Sequence, residues 1–88
     1  MDIPFDKPMA FRVSAGTRTV TFVNNEVATD VYISDKRSEL LAKFPPDAGQ
    51  LIAHGGIVVQ WPAYSGTVWL RANGATVTKF TVVENAST

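Results

Sequence analysis

The side chain with the most direct access to acid–base chemistry is His54, the one histidine among 88 residues. A histidine can serve as general base for a serine, cysteine or threonine nucleophile when a third group orients it. His54 precedes Gly55-Gly56 in a stretch typical of a tight loop, and the sequence places no such partner beside it. The Gly-x-Ser-x-Gly elbow of hydrolases is absent, and Ser65-Gly66 is more typical of a simple turn. These residues do not favour nucleophilic catalysis.

Carboxylates could supply the paired acid and base of a glycosidase or the ligands of a metal ion. Most of the acids, however, fall in predicted arm, turn and tail segments, where no fixed separation is expected. These are Asp2, Asp6, Asp30, Asp35, Asp47 and Glu84. The chain has no cysteine and no calcium-loop spacing, and Gly55-Gly56 lacks the pattern of a phosphate-binding loop. We therefore predict a protein that is not an enzyme and has no catalytic residue, metal site or cofactor.

The aromatic residues Trp61, Tyr64 and Trp69 lie close together in the sequence. Trp69 has the opposite strand parity to Val68 and Leu70 and stands beside Arg71. Three interpretations are open: tryptophans in a thin core, a protein-binding surface, or a platform on which sugars stack. Both surface interpretations predict that Tyr64 and Trp69 are solvent-accessible.

The elements that must position these residues are strands. Residues 68–72 and 75–83 alternate apolar and polar side chains around Asn73-Gly74, the strongest short-range signal for a hairpin with a type I′ turn. Lys79 and Arg71 interrupt these two runs and are candidate guards of exposed sheet edges.

The upstream sequence also has the rhythm of short strands separated by turns. The predicted strands cover residues 9–14, 18–24, 30–34, 50–53 and 57–61. Between them, residues 36–44 are predicted to form a short helical segment, with Asp35 as N-cap and an apolar stripe of Leu40, Leu41 and Phe44. Long crossovers are absent, so parallel pairing is disfavoured. We predict an all-β fold, a small antiparallel β-sandwich or barrel of six to seven short strands.

Two prolines and two exposed-looking apolar residues, Ile3 and Phe5, occupy residues 1–8. We predict an extended N-terminal arm there, a β-sandwich domain over 9–84 and a C-terminal tail at 85–88. The arm could be a frayed end, or Ile3 and Phe5 could dock on a neighbouring subunit. In the second case, deleting residues 1–8 should weaken binding without unfolding the domain.

Composition narrows the class of partner. The eight basic and eight acidic residues give zero net charge, which argues against a nucleic-acid binder. The sequence shows neither a signal-peptide pattern nor an apolar run long enough to span a membrane, so we predict no membrane partner. The lack of cysteine favours a protein that is made or assembled inside a cell. Because 88 residues bury a modest core, partners are expected to help.

The succession of strand and turn motifs carries a resemblance to a known class. The motifs are TVTFVNN (residues 19–25), VYIS (31–34), GQLI (49–52), HGGIVVQW (54–61), GTVWLRANG (66–74) and TVVE (81–84). Over roughly residues 18–84 the chain resembles small accessory virion proteins of tailed bacteriophages, in which a short β-sandwich or barrel decorates the capsid or forms the base of a fibre or spike. This is an analogy at the level of fold and supplies no catalytic residues. It implies a homo-oligomer, with a trimer favoured, bound to the major capsid protein or another virion protein.

We therefore predict a structural virion protein, a capsid decoration or cement protein assembled in the host cytoplasm, that stabilises the shell. Its predicted protein-interface residues are Ile3, Phe5, Tyr64, Trp69 and Arg71. The alternative is a carbohydrate-binding or host-recognition module that uses Trp61, Tyr64 and Trp69.

Overall fold

Runs of β-branched and apolar residues form seven strands in the part of the chain that the computed structural model describes, residues 1–41, 43–60 and 66–86. The strands are β1 (Met9–Arg12), β2 (Thr17–Asn24), β3 (Val31–Ser34), β4 (Gln50–Ile52), β5 (Ile57–Gln60), β6 (Thr67–Ala72) and β7 (Phe80–Ala86). They form a four-stranded sheet in the order β1-β6-β3-β4 and a three-stranded sheet in the order β5-β2-β7. All the pairings between these strands are antiparallel, so the predicted all-β class is confirmed.

The core lies between the two sheets. Along the strands that form it, buried side chains alternate with side chains that point away from the core. In β6, Val68, Leu70 and Ala72 are fully buried, whereas the side chains between them are half-buried. In β2, Val20 and Phe22 are buried in the same alternating way. Each sheet therefore has one face in the core and one face outside it.

The predicted terminal hairpin is wrong. β6 pairs with β1 and β3, whereas β7 pairs with β2 in the other sheet. Gly74 has a φ of +93°, but none of the described non-glycine residues has a positive φ, so Asn73 does not adopt the type I′ conformation. Its N–H instead donates to the carbonyl of Asp30 at 2.9 Å. Residues 73–79 therefore cross from one sheet to the other, and β7 begins later and ends later than expected.

The N-terminal residues belong to the sandwich. Ile3 is fully buried in the core and exchanges two backbone hydrogen bonds with Val77, at 2.7 and 2.9 Å. The N–H of Ala72 donates to the carbonyl of Pro4 at 2.8 Å, and the terminal amine donates to the carbonyl of Phe80 at 2.9 Å. The expectation that Ile3 docks on a neighbouring subunit is corrected, because its own core covers this side chain.

The predicted helical segment is a single 3₁₀ turn, Arg37–Leu40. Its N-cap is Lys36 rather than Asp35, and no side chain caps it. Ser34 Oγ instead accepts the Lys36 N–H at 3.0 Å, which satisfies a backbone donor just before the turn. Leu40 is buried, but Leu41 is 44% exposed, so the predicted apolar stripe is incomplete. No helix among the described residues is long and apolar enough to cross a membrane.

Candidate interaction surface

The outer face of the four-stranded sheet carries two of the predicted interface residues, Trp69 and Arg71. Both lie on β6 at the positions that alternate with buried Val68, Leu70 and Ala72, and both are half-buried. The segment that includes the 3₁₀ turn and Phe44 packs over this face. The site is therefore built from one central strand and the irregular chain that covers it.

Arg71 connects three parts of the chain. Its Nη1 donates to the carbonyl of Leu40 at 2.7 Å, and its Nε donates to the carbonyl of Phe5 at 2.9 Å. The guanidinium also lies over the Phe44 ring, 4.2 Å from its centroid, a distance typical of a cation–π contact. Arg71 lies between β1 and β3 rather than at a sheet edge, so its predicted role as an edge guard is wrong.

Aromatic contacts extend the cluster along the same face. Tyr32 is opposite Arg71 in the register of β3 and β6, and its ring meets that of Phe44 edge-on at 5.2 Å. Trp69 is opposite Ser34, and the guanidinium of Arg37 lies 5.7 Å from the centroid of its indole ring. We refer to these side chains together as the aromatic–arginine face: Tyr32, Arg37, Phe44, Trp69 and Arg71.

Exposed apolar side chains come from the same elements. Leu51 is opposite Tyr32 in the register of β3 and β4 and is 46% exposed. Phe5, whose carbonyl binds Arg71, is 45% exposed. Tyrosine, tryptophan and arginine surrounded by apolar area are the residue types enriched at the centres of protein interfaces.

The structure places the predicted site residues in different parts of the molecule. Phe5, Trp69 and Arg71 lie on or beside the aromatic–arginine face, whereas Ile3 lies in the core. Tyr64 and Trp61 lie outside the described residues. Tyr32 and Arg37 were not among the predicted site residues, and Phe44 was predicted only as part of a helical stripe. The alternation of Tyr32 with the apolar residues Val31 and Ile33 could have placed it on the outer face. The contact of Phe44 depends on a loop, which sequence periodicity does not describe.

His54 has a carboxylate partner that the sequence did not place. Its backbone N–H donates to Asp30 Oδ1 at 3.0 Å, and its Nδ1 lies 2.8 Å from the same oxygen. The backbone hydrogen bond from His54 is the main cause that lowers the pKa of Asp30. These contacts tie the loop before β3 to the turn between β4 and β5. Among the described residues, no group of three or more histidine or acidic side chains is placed to hold a metal ion.

No protein-family model, curated protein or solved structure matches this chain.

Proposed function

We propose that this chain is a structural assembly protein that binds a partner protein through the aromatic–arginine face. The observation that carries the proposal is the arrangement around Arg71, which fixes Phe44 and the backbone of Phe5 and Leu40 on one sheet face. A contact surface that is ordered before binding loses less conformational entropy when the partner arrives. The expected partner surface is apolar with carboxylates that can meet Arg37.

The particular role we propose is that of a virion protein, a capsid decoration or cement protein that binds the major capsid protein and stabilises the shell. Support for this role comes from the resemblance in the succession of strand and turn motifs along the sequence and from the small all-β fold. Each bound copy would stabilise the assembled shell by mass action, because it binds the assembled state and not the dissociated subunits. Copies are expected to associate with one another, with a trimer favoured.

A carbohydrate-binding role receives less support from the geometry. Sugars stack on the open face of an aromatic ring, whereas Trp69 is half-buried and has the Arg37 guanidinium over its ring. Protein binding uses both groups together, since arginine and tryptophan are both enriched in interface centres.

The first test is whether the chain is a component of virus particles. Particles released by cells that encode it are purified by density banding, and their proteins are quantified by mass spectrometry. We expect the chain at a copy number of the same order as that of the major capsid protein. Purified particles that contain none of the chain, although the cells that release them produce it, would overturn the virion role.

The second test concerns the face. Purified Arg37→Ala protein is added to particles from which the chain has been removed, and its binding is compared with that of the unmodified chain. We expect binding to weaken by at least about tenfold, as for truncation of an interface hot spot. Lys79→Ala is the matched control, because it removes one positive charge near the other sheet and should bind normally. Equal binding by both variants would exclude the aromatic–arginine face.

A further inference from the structure

Among the described residues that the strand registers place on the outer face of the three-stranded sheet, none carries a charge. The registers place Thr21 opposite both Val59 and Val83, and place Val23 opposite Ile57 and Thr81. Residues directly opposite in a sheet share a face, and residues two apart in a strand share it too. The side chains on this face are Thr19, Thr21, Val23, Ile57, Val59, Thr81, Val83 and Asn85. All but Asn85 are β-branched. We refer to them as the threonine–valine face.

Much of this face is open to solvent in the single chain. Ile57 is 65% exposed, Val59 is 61% exposed and Val83 is 44% exposed. Ile57 and Val59 lie on one edge strand, Val83 lies on the other, and the threonines of β2 lie between them. Antiparallel sheets usually place polar and charged side chains on their solvated face. An uncharged β-branched surface is instead the kind that packs against a second sheet.

We infer that the threonine–valine face is a self-association surface, on which the same face of a second copy stacks. The surface is self-complementary about a two-fold axis in the plane between the copies. With the axis along or across the strands, β2 of one copy lies over β2 of the other. Each edge strand with its apolar side chains then lies over an edge strand. Threonine hydroxyls meet threonine hydroxyls, and each can both donate and accept a hydrogen bond.

Electrostatics and shape favour a second copy as the occupant. Two identical charged faces would repel each other, but the described side chains that the registers place on this face bring no charge to the contact. β-branched side chains of two sheets interdigitate when the sheets pack face to face, so this face can pack against the same face of a second copy. Two such sheets pack about 10 Å apart.

The size of the face sets the expected strength of the contact. Three strands at about 4.8 Å spacing and five residues at about 3.4 Å give roughly 14 by 17 Å per copy. This is far smaller than the roughly 800 Å² per partner of a standard stable interface, so the contact in free solution is weak and reversible. Copies held side by side on a common shell have a much higher effective concentration, at which a weak contact is occupied. The expectation that this contact is occupied on a shell rests on the proposed assembly function.

Sedimentation equilibrium of the full chain, from about 10 μM to about 2 mM, tests the inference directly. We expect a concentration-dependent rise in mass towards that of a dimer. A rise to the mass of a trimer, the state that the resemblance implies, would overturn the two-fold contact. Val59→Lys and Val83→Lys, on the two edge strands, should each weaken association by at least about tenfold, because each buries an unpaired charge in the contact. Val27→Lys is the matched control, since Val27 is 81% exposed in the loop between β2 and β3.

Amide chemical shifts of the unmodified chain, followed on dilution, locate the contact without any substitution. We expect changes centred on Thr21, Val59 and Val83. A monomer throughout the concentration range, equal association by all three variants, or dilution shifts centred on Trp69 would each overturn the inference. Binding to the partner protein is tested on particles, with a variant of the aromatic–arginine face. The proposed function and the proposed self-association can therefore fail independently.

Discussion

Ile3 and Val77 exchange two backbone hydrogen bonds, from Ile3 N to Val77 O at 2.7 Å and from Val77 N to Ile3 O at 2.9 Å. Both side chains are fully buried. This bridge fastens the first residues of the chain to the segment that crosses between the sheets, and it makes Ile3 part of the core.

Ile3→Ala should therefore destabilise the fold by about 2–5 kcal/mol, the usual cost of truncating a buried isoleucine to alanine. Urea unfolding followed by circular dichroism measures the change. Phe5→Ala is the control, because Phe5 is 45% exposed, and it should cost less than about 1.5 kcal/mol. Deletion of residues 1–8 should also destabilise the domain, contrary to the expectation from sequence. An unchanged free energy of unfolding for Ile3→Ala would contradict the placement of this side chain.

Arg71→Lys should disturb the aromatic–arginine face although it keeps the positive charge. A lysine ammonium cannot reproduce the guanidinium contact over the Phe44 ring together with the two directed hydrogen bonds to Leu40 and Phe5. We expect the near-ultraviolet circular dichroism of Tyr32 and Trp69 to weaken in Arg71→Lys and in Arg71→Ala alike. If Arg71→Lys retained the full spectrum, charge rather than geometry would be what matters at this position.

Glu26 should make stability depend on pH in the acid range. Its carboxylate accepts hydrogen bonds from the backbone N–H groups of Thr78 and Lys79, at 2.9 and 3.0 Å, and these bonds lower its pKa below the usual 4.5. A carboxyl group whose pKa is lower in the folded state stabilises the protein above its unfolded pKa. That stabilisation is lost as the pH falls from about 4.5 through the folded pKa.

Thermal unfolding of the unmodified chain and of Glu26→Gln between about pH 7 and pH 3 measures this effect. The difference in stability between the two proteins should shrink as the pH falls. A constant difference across that range would show that ionisation of Glu26 contributes nothing to the link between residues 24–28 and 73–79.

Gly49 and Gly16 should respond differently to alanine. Both have a positive φ, +89° and +85°, at which an alanine side chain is strained. A Cβ on Gly49 would also lie 2.7 Å from the carbonyl oxygen of Ile33, whereas a Cβ on Gly16 would meet nothing within 4 Å. Gly49→Ala should therefore lower the melting temperature more than Gly16→Ala does. Equal changes would indicate that backbone conformation alone accounts for the cost.

Alternation along the chain was enough to predict most of the strands and to divide the side chains of each strand between two faces. Val68, Leu70 and Ala72 share one face of β6 and Trp69 and Arg71 share the other, as the parity of the sequence indicated. The structure shows that the first of these faces is the buried one. The segment 80–83 was likewise correctly placed in a strand. These properties are local, because successive side chains of any strand point to opposite faces.

The tertiary structure decided which strands pair and which surfaces result. Asn73-Gly74 has the chemistry of a tight turn, but β7 completes the other sheet, where Phe80 is buried and β2 offers a longer partner than a hairpin with β6 would. The cluster around Arg71 joins residues 5, 40, 44 and 71, and the threonine–valine face joins β2, β5 and β7. Alternation separates the two faces of a strand. It does not say to which sheet the strand belongs, because the strands of both sheets alternate in the same way. The choice between them depends on contacts between residues far apart in the chain, which no local pattern contains.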